Sequence, residues 1–130
     1  MHRVLLLQEA VVERAKLVKK DRAAVDHAIE KLEALGTDLS FPHASAVKGH
    51  HDLRELRPQA GKSPWRPLYR QLGDAFVIAD IAPEAKKNKR GFDRACLAAV
   101  DRLSHVELGD EAAQEGEPDD RPGQSTDTGP

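Results

Sequence analysis

Residues 65–82, WRPLYRQLGDAFVIADIA, decide the architecture. Two runs rich in aromatic and β-branched residues flank the dipeptide Gly73-Asp74, and glycine at the first turn position suits a two-residue β-hairpin. The spacing predicts strands over 65–72 and 75–82. Pro67 lies inside the first run and has no amide to give a ladder, so a bulge or an outward-facing position is expected there. Immediately upstream, LRELR at 53–57 reads as a third strand, separated by PQAGKSP. The three runs form an antiparallel meander.

Working outward, the chain turns helical on both sides. Val25, Ala28, Ile29, Leu32 and Leu35 recur at helical spacing, and Gly36 stands where a left-handed terminal residue belongs. An earlier helix begins at Glu9 with Val11, Ala15 and Val18 on one face, and Asp21 is a candidate N-cap for the next. Residues 3–7, RVLLL, are a first strand or a helix start; so short a run does not separate the two. Leu39 to Asp52 reads as a loop. Downstream, Phe92, Ala95, Cys96, Ala99, Val100 and Leu103 mark a last helix. The expected fold is α+β: a small antiparallel sheet, two N-terminal helices and one C-terminal helix. A meander has one face for the helices to cover, which leaves the other open to solvent or a ligand.

The chain has 130 residues and a formal net charge of −2, but the charge is unevenly placed. Met1 to Val106 carries 19 Lys plus Arg against 14 Asp plus Glu (+5), and Glu107 to Pro130 carries 1 against 8 (−7). The last segment is rich in Gly, Pro and Asp and too poor in apolar residues to offset its ordering entropy. The division is a basic domain over 1–106 and an acidic disordered tail over 107–130, solubilising or a mimic of phosphate charge. A single cysteine, Cys96, excludes an intrachain disulfide framework, and no apolar run is long enough for a secretory or membrane segment, so a cytoplasmic setting is expected.

Positive charge peaks in PEAKKNKRGFDRA at 83–95, where Lys86, Lys87, Lys89 and Arg90 fall within five positions. Arg57, Arg66 and Arg70 come from neighbouring strands on the sheet. Arginine grips phosphate with a planar, always-charged fork, and lysine supplies a point charge or, with a depressed pKa, a proton. The competing reading pairs Arg57 and Arg66 with Glu55 and Asp74 and leaves the lysines as a solvated turn. Trp65 and Tyr69 read as core aromatics rather than stacking platforms. His43, His50, His51 and Cys96 lack a zinc spacing, so no metal or other cofactor is expected.

Taken in order, KLEALG, FPHASAVKG, LRELRP, WRPLYR and AFVIADIAPEAKKNKRGFDRA resemble the RelE/ParE superfamily of small toxins, in its phage-derived HigB-like branch. The resemblance runs from about Val4 to Leu103. It implies a RelE-like fold and a toxin of a type II toxin–antitoxin system that cuts mRNA on the ribosome, a metal-independent endoribonuclease. It further implies neutralisation by a helix-turn-helix antitoxin, with oligomers formed only through that complex. On this resemblance Arg57, Arg66, Lys87 and Lys89 take catalytic places. Lys48, His50, His51, Arg54, Arg70, Lys86 and Arg90 take RNA-binding ones. Some relatives carry a tyrosine near the start of the last helix; Phe92 stands nearest here and has no hydroxyl. The alternatives are a ParE-like toxin acting on DNA gyrase without cutting RNA, and an inactive remnant that binds only an antitoxin or RNA.

Overall fold

The computed structural model describes residues 1–108 and is α+β. Strand β1 (Arg3–Leu6) leads into helices α1 (Gln8–Ala15) and α2 (Lys19–Leu35). Strands β2 (Ala44–Ala46), β3 (Arg54–Leu56), β4 (Trp65–Leu72) and β5 (Ala75–Pro83) follow, and helix α3 (Lys89–Leu108) is the last of the described elements. The strands form one sheet in the order β1-β5-β4-β3-β2. The meander is β3-β4-β5 as expected, with Gly73 at φ +62° opening the two-residue turn. Residues 3–6 are a strand, pairing parallel to β5. The segment read as a loop holds β2, antiparallel to β3 with Ser45 opposite Glu55.

Three expectations are corrected. Helices cover both faces of the sheet, not one. Leu68, Val77, Ala79 and Ala82 pack with Cys96, Ala99 and Leu103 of α3, while Leu56, Tyr69, Phe76 and Ile78 pack with Ala28 and Leu32 of α2. β5 is an interior strand, paired on both sides and buried from Ala75 to Ala82, which is why its sequence is a continuous apolar run instead of an alternation. In α1 the predicted face is the wrong one: Val11 and Val18 are exposed, and Leu7, Ala10 and Leu17 face the core. Asp21 caps nothing, because α2 begins two residues earlier after Val18; its carboxylate accepts a hydrogen bond from Trp65 Nε1 at 3.2 Å. Gly36 does adopt a positive φ, +54°, and a side chain there would strike the His2 ring.

The irregularity foreseen at Pro67 occurs one residue later and on the partner strand. Pro67 pairs with Ile81 and Leu68 with Asp80, but Tyr69 pairs with Ile78, so Ala79 is an extra residue in β5. The bulge puts Ala79 and Asp80 together on the α3 side. There Arg102 Nη1 donates to the Ala79 carbonyl at 2.8 Å, to Asp80 at 3.0 Å and to Glu13 at 3.1 Å. The other Glu13 oxygen accepts the Ile81 amide at 2.9 Å, closing the β5 edge beyond the end of β1. Helix α3 runs two residues past the expected domain boundary at Val106, and the acidic tail beyond it lies outside the described residues. Among the described residues no helix is long and apolar enough to cross a membrane.

Candidate functional site

Antiparallel pairing brings the end of β3, the start of β4 and the end of β5 to one end of the sheet. The chain leaves β5 there through a tight turn: the Glu84 amide donates to Pro64 O at 2.8 Å and the Asn88 amide to Glu84 O at 3.0 Å. Asn88 then accepts the Gly91 amide on Oδ1 at 2.9 Å, capping α3. Gly91 is tightly enclosed, since a Cβ there would lie 2.5 Å from the Asn88 side chain and 2.9 Å from Pro83. The first turn of α3 carries no acid and two cations, Lys89 and Arg90. A helix N-terminus is already electropositive, so these cations repel it and each other and together attract an anion. Lys89 is held by Asp93 at 2.7 Å. Lys86, Lys87 and Arg90 are exposed and make no side-chain hydrogen bond or ion pair among the described residues.

The two arginines at this end differ in kind. Arg66 is 4% exposed and spends its guanidinium inward: Nη1 donates to Ser63 O and Trp65 O, and Nη2 to Gly61 O at 3.0 Å and Glu84 at 2.8 Å. Burial pulls its pKa down, while the carboxylates of Glu84 and then Glu55 pull it back up. Its ion-pair partner is therefore Glu84, eighteen residues along the chain, and not Glu55 or Asp74; Asp74 lies 3.5 Å from Arg3. Arg57 is half-buried, donates from Nε to Pro42 O at 3.1 Å and lies over the Phe41 ring at 4.9 Å. Glu55 is 3.6 Å from its Nη1, and neither terminal nitrogen makes a hydrogen bond among the described residues. Gly61, at φ +92°, has no Cβ because Arg57 Nη2 would lie 2.5 Å from it.

The remaining candidates gather at the opposite end of the sheet. Arg54 Nε donates to the Tyr69 hydroxyl at 3.2 Å, and Arg70 Nη2 donates to the His51 carbonyl at 3.0 Å. The exposed His51 ring is 3.0 Å from Asp52, Lys48 is exposed, and His50 lines the depressions on either side. Arg66 and Arg70 are four positions apart on β4, about 13 Å at 3.3 Å per residue. Arg57, Arg66 and the 86–90 turn thus share one end, and Lys48, His50, His51, Arg54 and Arg70 the other. Tyr69 is buried in the core, Trp65 is half-buried on Asp21, and Phe92 packs against the α3-side core. Burial pushes the Cys96 thiol up to about 11, with Asp93 adding to it, which leaves it unreactive at neutral pH. Phe41, Glu84 and Asn88 are the site residues missed from sequence. Only Asn88 was signposted there, as a capping residue type directly before a helix.

No curated protein matches the chain. Among solved structures, a double mutant of the E. coli toxin RelE in the free state superposes with a TM-score of 0.57 at 13% identity, covering 78% of this chain and 97% of that one. The archaeal RelE–RelB complex from Pyrococcus horikoshii OT3 gives a TM-score of 0.45 at 20% identity, covering 63% and 93%. The fold is RelE-like. The family model for phage derived Gp49-like proteins (DUF891) matches residues 14–81, from the last turn of α1 into β5, and leaves α3 and its cationic turn outside. Because that match spans more than half of the sequence, the chain belongs to the phage derived Gp49-like (DUF891) family.

Proposed function

We propose that this chain is the toxin of a type II toxin–antitoxin pair, of the HigB-like kind, and acts as a metal-independent endoribonuclease on ribosome-bound mRNA. The observation that carries the proposal is the α3 N-terminus, where Lys86, Lys87 and Arg90 stand exposed at the same end of the sheet as Arg57. Such a site stabilises the extra negative charge of a phosphorane, the step at which RNA cleavage by 2′-hydroxyl attack gains most. Arg57 is preset by Pro42, Phe41 and Gly61, with Glu55 3.6 Å from its Nη1 and no hydrogen bond on its terminal nitrogens among the described residues, and the exposed Lys87 at the same end would serve a leaving 5′-oxygen. Arg66 acts indirectly, tying the Gly61–Ser63 turn to Glu84 at the root of the cationic turn. Arg54, Arg70, Lys48 and the two histidines would guide the strand along the far end of the sheet. A helix-turn-helix antitoxin is the proposed partner, the cytoplasm the setting, and oligomers arise through that complex.

A ParE-like toxin that acts on gyrase without cutting RNA is the second reading. It is favoured by the internal commitment of Arg66 and by Phe92, which offers no hydroxyl. Induction in a bacterial host separates the two. Arrested translation with codon-phased mRNA cuts, lost in Arg57→Gln and in Lys87→Gln, is the expected outcome. DNA damage without mRNA cuts would replace the nuclease reading with the second.

A further inference from the structure

A second basic feature lies on the α2 side of the sheet, apart from the cationic turn. Lys20, His27 and Lys31 recur at i, i+7 and i+11 on α2, so they edge one stripe of the helix. Between them Ala23, Ala24 and Ala28 keep that stripe low, and opposite it stand Pro58 and Gln59. The small side chains leave a cleft of about 330 Å³, closed at one side by His43 and Arg57.

Two properties set this cleft apart. No carboxylate lines it, although three of its residues carry full positive charge. Lys31 Nζ lies 3.3 Å from His43 Nδ1, a contact that brings no carboxylate to the ammonium. Glu55 lies outside the lining, 3.6 Å from Arg57. Second, the wall facing α2 is conformationally strained: Gln59 (φ 56°, ψ 40°) and Ala60 (φ 55°, ψ 35°) are consecutive non-glycine residues in the left-handed region. Strain of this kind persists where the surroundings impose it and concentrates at ligand-holding segments.

We infer that this cleft is a nucleotide-sized phosphate site: Lys31 and Arg57, gathered at His43, hold the phosphate, the alanine floor receives the sugar or base, and Lys20, about 16 Å along α2, edges the far end. Its volume is at the small end of ligand pockets, enough for one nucleotide unit and too little for a folded partner element. Charge without carboxylates selects an anion, and the mix of flat apolar floor and basic edge selects one with an apolar body. The unit comes either from an RNA strand that continues past Arg57 or from a free nucleotide, and the cleft would take it whether or not the chain cuts RNA.

The test uses the full-length protein, with backbone amide shifts followed during titration with adenosine 5′-monophosphate, inorganic phosphate and adenosine. The monophosphate and phosphate are expected to shift Ala24, Lys31, His43 and Gln59 saturably, and adenosine is expected to leave them unmoved. Lys20→Gln with Lys31→Gln should weaken the monophosphate about tenfold or more, as loss of charge-assisted hydrogen bonds requires. Lys86→Gln with Lys87→Gln should leave the shifts of the cleft residues unchanged, which separates the cleft from the cationic turn, Arg57 being common to both. A short RNA that displaces the monophosphate and shifts cleft and turn together identifies the polymer as source; a monophosphate that RNA does not displace identifies the free nucleotide. Absence of saturable shifts in the cleft, equal shifts with adenosine, or unaltered affinity in the α2 double variant, with its amide spectrum otherwise intact, overturns the inference.

Discussion

The Glu13–Asp80–Arg102 cluster makes stability depend on pH in a direction opposite to most carboxylates. Asp80 is 5% exposed, and burial, with repulsion from Glu13, raises its pKa from 3.8 to about 7 against the pull of Arg102. Between those values the native protein keeps a proton that the unfolded chain has released, so stability falls as pH rises and the loss is complete above about 7. From pH 5 to the folded-state pKa is two units, or about 3 kcal/mol at 1.36 kcal/mol per unit. That is a large share of a total of about 5–15 kcal/mol. Asp80→Asn keeps the shape and removes the titration. Urea unfolding of both proteins at pH 5, 6, 7 and 8 measures the gap, and the variant should gain on the parent by about 3 kcal/mol across the range. With an m-value of about 2 kcal/mol per molar, that is roughly 1.5 M in relative midpoint. Parallel pH profiles for the two proteins would refute the reasoning, because they would mean that Arg102 keeps Asp80 ionised throughout.

Other perturbations follow from the same geometry. Glu84→Gln leaves the buried Arg66 cation without its counter-charge and should cost about 3 kcal/mol in denaturant unfolding, the lower end for a broken buried pair because three carbonyls still receive the guanidinium. Asn88→Ala removes the α3 cap and should lower stability by about 1 kcal/mol, with faster amide exchange confined to the first turn of the helix. Leu32→Ala empties a fully buried position between α2 and the sheet and should cost about 2–5 kcal/mol. Gly61→Ala forces a Cβ against Arg57 Nη2 at an unfavourable φ; growth arrest should weaken as it does in Arg57→Gln, with little change if Arg57 plays no part.

What the sequence made legible were elements with a strong local signal. The 65–82 hairpin carries its own turn glycine, and α2 and the last helix show unbroken periodicity. β2 escaped because Ala-Ser-Ala has no strand preference of its own; pairing with β3 creates it. The double coverage of the sheet is written in the uninterrupted run AFVIADIA at 75–82, since a strand covered on both faces loses the apolar–polar alternation of a half-exposed one. In α1 the exposed valines misled because apolar residues lie on both sides of the helix, and only tertiary packing chose Leu7, Ala10 and Leu17. The candidate site was legible as composition, not as geometry. Charge density marked 86–90, but no spacing rule links Arg66 to Glu84, places Phe41 beneath Arg57, or splits the basic residues between two ends of the sheet.

The single surplus residue in β5 behaves like a frameshift written into the strand. Upstream of Ala79, even-numbered side chains turn toward α2 and odd ones toward α3; downstream, Ile81 and Ala82 show the assignments exchanged. Losing one residue there would restore simple alternation with Ile81 still turned toward α2, but Arg102 would lose one of the two adjacent groups, the Ala79 carbonyl and the Asp80 carboxylate, that the surplus residue sets side by side. Any other change of count upstream of Ile81 would exchange its face, so length variation is more tolerable at the hairpin tip than inside this strand.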